Sequence, residues 1–462
     1  MISARQISLL LVVILLAGAC SSSTSPTASI DPDEVPRGEV RDFGAVPQFV
    51  DGELSPAAAD AIDVLFGNGF DNLFVLDEVD AIEALGSSGD VRLGWVLSDL
   101  LRFAPDATTA GRLGSAASEL LGMEFEGFNP WGEVTDQLIA WDVPAPPGYL
   151  DVKRTILVGL VPQWEPFFDD DDADVDWRLI SWGGVLIDDR PYDRTDDLCR
   201  CIPAADNPAV ITADEATWLD DDDVVFGVEI NGESRAYPRQ IMEVREMVND
   251  TLGGRDFGMP YCTLCGAAQV WFTDDLPEGI DRPILRTSGL LSRSNKVMYD
   301  LNTFSILDTF RGTAETGPLK ERGIQLNQHS VVTSTWADWR AAHPDTTVLI
   351  EELALGRDPD FRNGRDADGP IFPIGDVDPR LPVQEDVLGV ITGDGTPIAF
   401  HVASARSALD RGETIEVNGI SIVSDGGGVR AIDADGNDVG SHQAFWFAWS
   451  QFHPETELWP DV

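Results

Sequence analysis

The stretch VVFGVEINGESRAY at residues 224–237 decides the class of the second half of the chain. Apolar and β-branched residues lie on both sides of Asn231-Gly232, and Asn-Gly readily supplies the two positive φ angles of a type I′ turn. The stretch therefore predicts a β-hairpin. A second Asn-Gly pair at 418–419, between residues 414–417 and 420–423, predicts another.

Short strand patterns recur through the rest of this half, at residues 387–391, 397–402 and 429–432. The run Asp425-Gly426-Gly427-Gly428 falls between two strand patterns and opens no helix, which predicts a turn. Helix patterns are confined to residues 238–248 and 335–342. We therefore expect a mainly β region, with short strands in a sandwich or barrel-like arrangement.

The first half has a different periodicity. Apolar residues recur at helical spacing in the segments 57–66, 77–85, 91–103 and 110–121. They predict paired helices of a short solenoid, or an irregular helical bundle. The predicted fold class is thus α+β, with an N-terminal helical, short solenoid-like domain (46–165) followed by a mainly β domain (166–462).

The N-terminus resembles a bacterial lipoprotein signal. Arg5 precedes an apolar run at 7–16, which is too short to span a bilayer, and small residues precede Cys20. Leu16 lies four residues before Cys20, where the usual pattern has three, so an ordinary secretory signal with an incidental cysteine is the alternative. We expect a signal peptide (1–19), lipidation of Cys20 and a disordered linker (20–45). The expected location is the cell envelope, extracytoplasmic and anchored to the membrane by lipid.

The formal net charge of -49 limits the classes of partner. Nucleic acid is excluded, because phosphate binding needs clustered Lys and Arg, and the chain has only Lys153, Lys296 and Lys320 as lysines. The acidity favours either cation binding or a strongly hydrated surface. The second interpretation is simpler, since a cation site needs converging ligands and a surface needs only charge.

Four of the five cysteines follow residue 20 and form two close pairs, Cys199 with Cys201 and Cys262 with Cys265. Outside the cytoplasm such pairs are commonly disulfides. They also fit a redox dithiol, or four thiolates around one soft metal such as zinc or copper(I). All three interpretations stay open, although the strand-like residues 267–272 do not suit the strand-to-helix turn of a thioredoxin.

Histidine adds little to the metal interpretation. None of the five lies at ligand spacing from another. His343 and His453 each precede a proline and follow a segment that contains tryptophan, which predicts a repeated turn. The five are His329, His343, His401, His442 and His453.

A set of polar residues surrounds Tyr261-Cys262-Thr263-Leu264-Cys265-Gly266 in the sequence. Carboxylates beside arginines suit acid–base work or anion binding, and a hydrogen-bonded network that holds loops is equally compatible. The catalytic candidates are Glu246, Asp250, Arg245 and Arg311. The candidates for the network are Asn249, Ser288, Asn295 and Asp300.

Several short motifs, in order, resemble the bacterial domain-of-unknown-function family numbered 3179. They are Trp182-Gly183-Gly184-Val185, residues 202–208, Arg235-Ala236-Tyr237-Pro238, Val248-Asn249-Asp250, residues 261–266, Ser288-Gly289-Leu290-Leu291, Asn295 with Met298-Tyr299-Asp300, and residues 339–344. The similarity covers roughly 177–350. It implies an N-terminal helical region and brings no established reaction.

Two positions depart from the pattern of that family. Its members usually have His where this chain has Arg245, and Trp-Ser-Gln where this chain has Leu307-Asp308-Thr309. If the family histidine is a metal ligand or a base, its replacement by Arg245 implies a lost or altered activity. Cys199 and Cys201 are then the candidates that compensate for the missing histidine.

Three hypotheses of function follow from the sequence. The first is an exported protein with a cysteine-based soft-metal or thiol site, in which zinc or copper is the candidate metal. The second is a non-enzymatic surface or structural protein with disulfide-bonded cysteines. The third is a hydrolase or transferase that uses the Glu246 and Asp250 carboxylates. The sequence does not decide whether the protein is an enzyme, and it identifies no small-molecule or protein partner.

Overall fold

The computed structural model describes residues 35–70, 79–192, 194, 199–351 and 369–461. The predicted signal peptide and Cys20 lie outside this range. Within it, no helix has both the length and the apolar character needed to cross a membrane.

The first part of the described chain is helical, as predicted. The helices are α1 (Pro56–Phe66), α2 (Val79–Gly86), α3 (Gly94–Arg102), α4 (Ala107–Leu121), α5 (Trp131–Ala140) and α6 (Tyr149–Leu160), with 3₁₀ helices at Val91–Leu93 and Pro162–Phe168. The four predicted segments correspond to α1–α4, whereas α5 and α6 are absent from the prediction. Local sequence sets the ends of α4, because the Asp106 carboxylate accepts from Thr108 and Thr109 N–H, and Gly122 ends it at φ +65°.

The remaining chain forms short strands with a few helices. The strands are β1 (Ile180–Trp182), β2 (Ala205–Asp206), β3 (Val210–Thr212), β4 (Val224–Ile230), β5 (Glu233–Pro238), β6 (Met247–Leu252), β7 (Arg255–Cys262), β8 (Ala267–Ala268), β9 (Val270–Phe272), β10 (Leu285–Ser292), β11 (Asn295–Asp300), β12 (Ile306–Asp308), β13 (Gln328–His329), β14 (Val332–Thr335), β15 (Thr347–Leu349), β16 (Asp386–Ile391), β17 (Pro397–His401), β18 (Ile415–Val417), β19 (Ile420–Asp425), β20 (Gly428–Ile432), β21 (Ser441–Phe445) and β22 (Glu457–Trp459). The helices are α7 (Arg239–Arg245), α8 (Gly317–Glu321), α9 (Trp336–Ala342), α10 (Val402–Asp410) and α11 (Trp446–Phe452).

Both predicted hairpins are confirmed, as β4–β5 and β18–β19, and so is the turn between β19 and β20. The prediction that helices in this half are confined to residues 238–248 and 335–342 is wrong, because α8, α10 and α11 also form. Helix α11, with the sequence WFAWSQF, is so aromatic that its pattern does not distinguish a buried helix from a strand.

The prediction of a generic, mainly β domain with a sandwich or barrel-like arrangement of strands is wrong. The strands divide into five separate sheets, a five-bladed propeller-like arrangement beside the helical N-terminal region. The sheet orders are β1-β10-β11-β12, β13-β9-β7-β6-β2 with β8 beside β7, β14-β4-β5-β15-β3, β21-β16-β17-β22 and β18-β19-β20. Hairpin patterns could not show this division, because partners such as β1 and β10 are about a hundred residues apart in the chain.

Two of the sheets contain the same supersecondary unit. The first copy is hairpin β4–β5, helix α7 and then β14-α9-β15; the second is hairpin β16–β17, helix α10 and then β21-α11-β22. In both, the strand before the last helix pairs antiparallel with the first strand of the hairpin. The strand after that helix pairs parallel with the second. The two copies therefore have the same order and strand directions.

The same side chains hold the helix against the sheet in each copy. Trp339 packs on Gly227 and Trp449 packs on Gly389, so closely that a Cβ on either glycine would overlap the indole. The Trp339 Nε1–H donates to Thr346 Oγ1 (3.0 Å) and the Trp449 Nε1–H donates to Thr456 Oγ1 (2.9 Å). The rings of His343 and His453 lie against these indoles, which confirms the repeated His-Pro turn.

The copies differ in what is inserted between the hairpin-helix part and the final strand-helix-strand part. In the first copy residues 246–331 intervene and carry β6–β13, including the cysteine motif. In the second copy residues 411–440 intervene and carry β18–β20. Each insertion packs on the other copy: the Phe445 N–H donates to the Cys265 carbonyl (2.8 Å), and Gly426 lies against Trp339.

We expect Gly227→Ala and Gly389→Ala each to destabilise the protein by about 1–3 kcal/mol, because the new methyl group displaces a buried indole from a packed interface. Urea denaturation followed by tryptophan fluorescence measures the change.

Gly393→Ala is the matched control, since no atom lies within 4 Å of a Cβ built there. Equal stabilities for Gly389→Ala and Gly393→Ala would contradict the role assigned to the indole contact.

Candidate functional site

A cavity of about 110 Å³ lies between strands β10 and β11 of the first insertion, its cysteine motif and residues from outside the insertion, among them Gly183 and Phe372. Strand β10 supplies Thr287 and residues 289–291, and β11 supplies Lys296. The remaining lining residues are Gly183, Val185, Ile202, Glu246, Cys262, Thr263, Leu264 and Phe372. The cavity thus combines an apolar wall with one carboxylate, one amine, two hydroxyls and one cysteine sulfur.

Glu246 and Lys296 form a buried ion pair in this wall, with 2.7 Å between Lys296 Nζ and Glu246 Oε2. The residues are 4% exposed each. The Thr263 hydroxyl donates to Glu246 Oε1 (3.2 Å), and Lys296 Nζ donates to Thr287 Oγ1 (3.4 Å). Removing one member of a buried ion pair destabilises a protein strongly, because the charge of the other member is left in the interior. We therefore expect Glu246 and Lys296 to be retained together.

Local backbone geometry brings Glu246 into the cavity. It follows the last residue of α7 and has φ +50°, a left-handed conformation uncommon for residues other than glycine. Its N–H donates to the Met242 carbonyl at 2.7 Å and ends the helix. The chain then turns directly into β6, which leaves the carboxylate at the corner.

Cys262 and Cys265 are joined by a disulfide. Cys262 ends β7 and lines the cavity, whereas Cys265 is fully buried, does not line it, and has its Sγ 3.8 Å from the Ser294 carbonyl oxygen. The two cysteines therefore occupy different environments, and only Cys262 lines the cavity that also contains the ion pair.

Cys199 and Cys201 form the second disulfide. Together with Asp188, they place three potential ligand atoms within 4.8 Å of one another, and no other such group is found in the part of the chain described. The four cysteines thus do not form a single group of ligands. The Asp188 carboxylate already accepts from Arg190 Nε (2.6 Å) and Ala204 N–H (2.8 Å), so a metal here would require both reduction of the disulfide and rearrangement of the carboxylate.

The other catalytic candidates lie outside the cavity. Asp250 accepts from Arg235 Nη1 (2.6 Å) and the Tyr237 hydroxyl (2.7 Å), so its carboxylate holds the first copy together. Arg245 is paired with Glu351. Its Nε and Nη1 are buried without a hydrogen-bond partner among the described residues. Arg311 donates to the Phe452 carbonyl and is nearly half exposed.

The candidates for a polar network mainly satisfy backbone groups. Asn249 donates to the Leu285 carbonyl and accepts from the Leu285 N–H, both at 3.0 Å. Ser288 donates to the Val297 carbonyl (2.6 Å), and Asp300 accepts from the Ile284 and Thr303 N–H groups. Burial raises the pKa of Asp300. Asn295 is the exception, since both atoms of its buried amide have no partner in the described range.

None of the five histidines lines the cavity. His401 bonds to Ser404 and Glu385, His329 to the Glu229 carbonyl, and His343 to Asp425. His442 is fully buried, with its two ring nitrogens 3.3 Å from Gln269 Nε2 and 2.7 Å from Gln328 Nε2.

Three residues of the site are absent from the sequence candidates: Lys296, Thr263 and Thr287. The scarcity of lysine marked Lys296 as unusual, and a lysine inside the buried strand pattern NKVMYD is a signal that a charged partner must be near. Nothing in the sequence distinguished the two threonines.

Burial lowers the pKa of His442 to about 3, with a smaller contribution from neighbouring His453. The unfolded chain binds this proton near pH 6.5 and the folded protein does not. The contribution of neutral His442 to the free energy of unfolding is therefore fully present above pH 6.5. It falls as the pH drops towards 3, by up to about 1.4 kcal/mol per pH unit. We expect His442→Asn to make the loss of stability between pH 6.5 and 4.5 shallower by up to this amount.

Urea denaturation at several pH values measures that slope, with the exposed Asp435→Asn as control. Parallel pH dependences in the wild type and His442→Asn would show that the imidazole is not held neutral.

Comparison with known proteins places the chain in a family and goes no further. No curated protein and no solved structure is detectably similar to it. The profile of the family described as protein of unknown function (DUF3179) matches residues 199–435, just over half of the chain, and this range includes Glu246, Cys262 and Lys296. The chain belongs to the DUF3179 family.

Proposed function

We propose that this protein is an exported, lipid-anchored thiol–disulfide protein in which Cys262 exchanges disulfides with a small thiol inside the cavity. One observation carries the proposal: Cys262 lines the cavity together with the Glu246–Lys296 ion pair, while its disulfide partner Cys265 does not. Thiol–disulfide exchange requires one sulfur that an incoming thiolate attacks and one that leaves, and only Cys262 borders a space in which a small thiol fits.

The exchange is balanced in electrons and protons. A thiolate in the cavity attacks Cys262 Sγ, the bond to Cys265 breaks, and Cys265 leaves as a thiolate that takes up a proton. A second thiolate then attacks the sulfur of the small molecule in the mixed disulfide and releases Cys262 as a thiolate. In sum, two small thiols are oxidised to their disulfide and the protein disulfide is reduced to a dithiol.

Lys296 supports this chemistry through its charge. The thiolate is the reactive form of cysteine, and a nearby ammonium group lowers the pKa of a thiol. The negative charge of Glu246 compensates the positive charge of Lys296 while the disulfide is closed. In the exchange, the Glu246 carboxylate accepts the proton of the incoming thiol. Thr263 and Thr287 hold the pair in the wall of the cavity.

The size and lining of the cavity favour a small-molecule thiol over a protein thiol. Cys262 is only 1% exposed, so a disulfide on the surface of another protein does not reach it without opening the fold. The wall beside it is apolar, with Val185, Leu264 and Leu290.

The structure gives the hydrolase or transferase hypothesis less support. A hydrolase or transferase that uses Glu246 and Asp250 together needs two carboxylates in one place, but Asp250 is bound to Arg235 and Tyr237 outside the cavity. A soft-metal site is the second candidate, supported by the ligand atoms of Asp188, Cys199 and Cys201. Zinc or copper(I) suits that group only after its disulfide is reduced.

Export and lipid anchoring belong to the same proposal. They are supported by the apolar run before Cys20 and by the polar Ser- and Thr-rich residues after it. An oxidising compartment is also where close cysteine pairs are maintained as disulfides until a specific thiol reduces them.

We expect Lys296→Met to slow the alkylation of reduced Cys262 by iodoacetamide at pH 7 by about tenfold. The loss of the ammonium group, with the negative charge of Glu246 kept in the wall of the cavity, raises the thiol pKa by about one unit. Quenched alkylation with peptide mass spectrometry measures the rate at Cys262 separately from Cys199 and Cys201.

The double variant Lys296→Met with Glu246→Gln removes both charges and should recover part of the rate, and Lys320→Met is the matched control. An unchanged rate in Lys296→Met, or a disulfide that millimolar free cysteine does not reduce in the folded protein, would refute the exchange function. Stoichiometric zinc or copper that is lost in Cys201→Ser would establish the metal site at Asp188, Cys199 and Cys201 instead.

A further inference from the structure

The hydroxyl of Ser294 is a buried polar group without a hydrogen-bond partner among the residues that the structure describes. Ser294 is 0% exposed and lies in the turn of the β10–β11 hairpin, directly before β11. A buried hydroxyl without a partner costs free energy, and native proteins contain few such groups. Its presence here therefore requires a physical reason.

The cysteine that Ser294 contacts supplies this reason. The Ser294 carbonyl oxygen lies 3.8 Å from Sγ of Cys265, the sulfur that leaves in the proposed exchange. In the disulfide this sulfur carries no hydrogen, so the contact is not a hydrogen bond. A free thiol is both a weak donor and a weak acceptor. Reduction thus gives the carbonyl oxygen a donor and gives the hydroxyl an acceptor.

Backbone hydrogen bonds fix the segments that carry both residues. The Cys265 carbonyl accepts from the Phe445 N–H (2.8 Å). At the hairpin turn, the Arg293 N–H donates to the Leu179 carbonyl (2.8 Å). Reduction breaks a bond between side chains and leaves these backbone contacts intact. We therefore expect the released sulfur of Cys265 to stay beside Ser294.

The surroundings of Cys265 make a charge on its sulfur unfavourable. Cys265 is 0% exposed and belongs to an apolar core cluster that includes Ala267 and Phe445. A thiolate in such an environment loses its hydration. Cys262, in contrast, lines the cavity together with Lys296. In the reduced protein, the leaving sulfur is therefore best accommodated as a neutral thiol that forms hydrogen bonds with neutral groups.

We propose that Ser294 stabilises the released thiol of Cys265 through two hydrogen bonds, in which its carbonyl oxygen accepts from the S–H and its hydroxyl donates to the sulfur. The inference rests on the proposed thiol exchange and assigns to Ser294 the role of favouring the dithiol over the disulfide. With dithiothreitol as the reductant, the step is balanced. Dithiothreitol supplies two electrons and two protons and closes to its cyclic disulfide, while Cys262 and Cys265 each gain one proton.

Equilibration of the folded protein with mixtures of reduced and oxidised dithiothreitol tests the role of Ser294. Quenched alkylation with peptide mass spectrometry reads the pair Cys262–Cys265 separately from Cys199–Cys201. We expect the equilibrium constant for reduction to be about fivefold lower in Ser294→Ala, because about one net hydrogen bond is lost from the dithiol alone. An unchanged or a higher constant would overturn the proposal.

A cycle of variants measures the same interaction without any exchange reaction. Cys262→Ser leaves Cys265 as a free thiol, and Cys262→Ala is the second background if that variant does not fold. In urea denaturation, Ser294→Ala should leave the unfolding equilibrium constant of the disulfide-bonded protein nearly unchanged, because it removes an unsatisfied hydroxyl. It should raise that constant about fivefold in Cys262→Ser. Equal effects in both backgrounds would show a purely structural role and contradict the proposal.

Ser450→Ala is the matched control. The Ser450 hydroxyl is also buried without a partner in the described part of the chain, but it lies in α11. We expect this substitution to change neither the reduction equilibrium nor the cycle. If free cysteine does not reduce the folded protein, the exchange function fails, and the cycle in Cys262→Ser still decides the role of Ser294. If the cycle shows no coupling while cysteine reduces the disulfide, the exchange stands and the role of Ser294 fails.

Discussion

The packing of Trp339 on Gly227 and of Trp449 on Gly389 is the contact on which the rest of the β region depends. A glycine in the first strand of the hairpin lets the indole approach the sheet. The indole N–H donates to the hydroxyl of a threonine that lies seven residues after the tryptophan. Both ends of the helix that carries the tryptophan are then fixed, since the strand before it and the strand after it lie in the same sheet. In the two sheets built in this way, the first insertion packs on the second copy and the second insertion packs on the first copy.

The candidate site at Cys262 lies mainly on the first insertion, outside the repeated unit. The first insertion carries Glu246, Cys262 and Lys296, and its cysteine loop bonds to β21 through the Cys265 carbonyl. The second insertion packs on the first copy, where Gly426 lies against Trp339.

Part of the candidate site at Cys262 is predictable from the sequence, because cysteines and isolated buried charges are distinctive. Glu246 and the cysteine motif are close in the chain, and Lys296 is one of only three lysines. Asp250 shows where such inference fails. It is four residues from Glu246, yet it belongs to a different network, since it lies in the middle of β6, where Arg235 and Tyr237 of β5 reach it.

The sequence by itself determined the features that depend on neighbouring residues: the Asn-Gly hairpins, the four N-terminal helices, the glycine turn and the repeated His-Pro turn. Backbone preferences and side-chain periodicity act over a few residues, so their patterns are visible in the chain. Only the tertiary structure decided the division into five sheets, the pairing of β15 with β5 and of β22 with β17, and the meeting of Glu246 with Lys296. Those contacts join residues 50 to more than 100 positions apart, and the packing of buried side chains selects them.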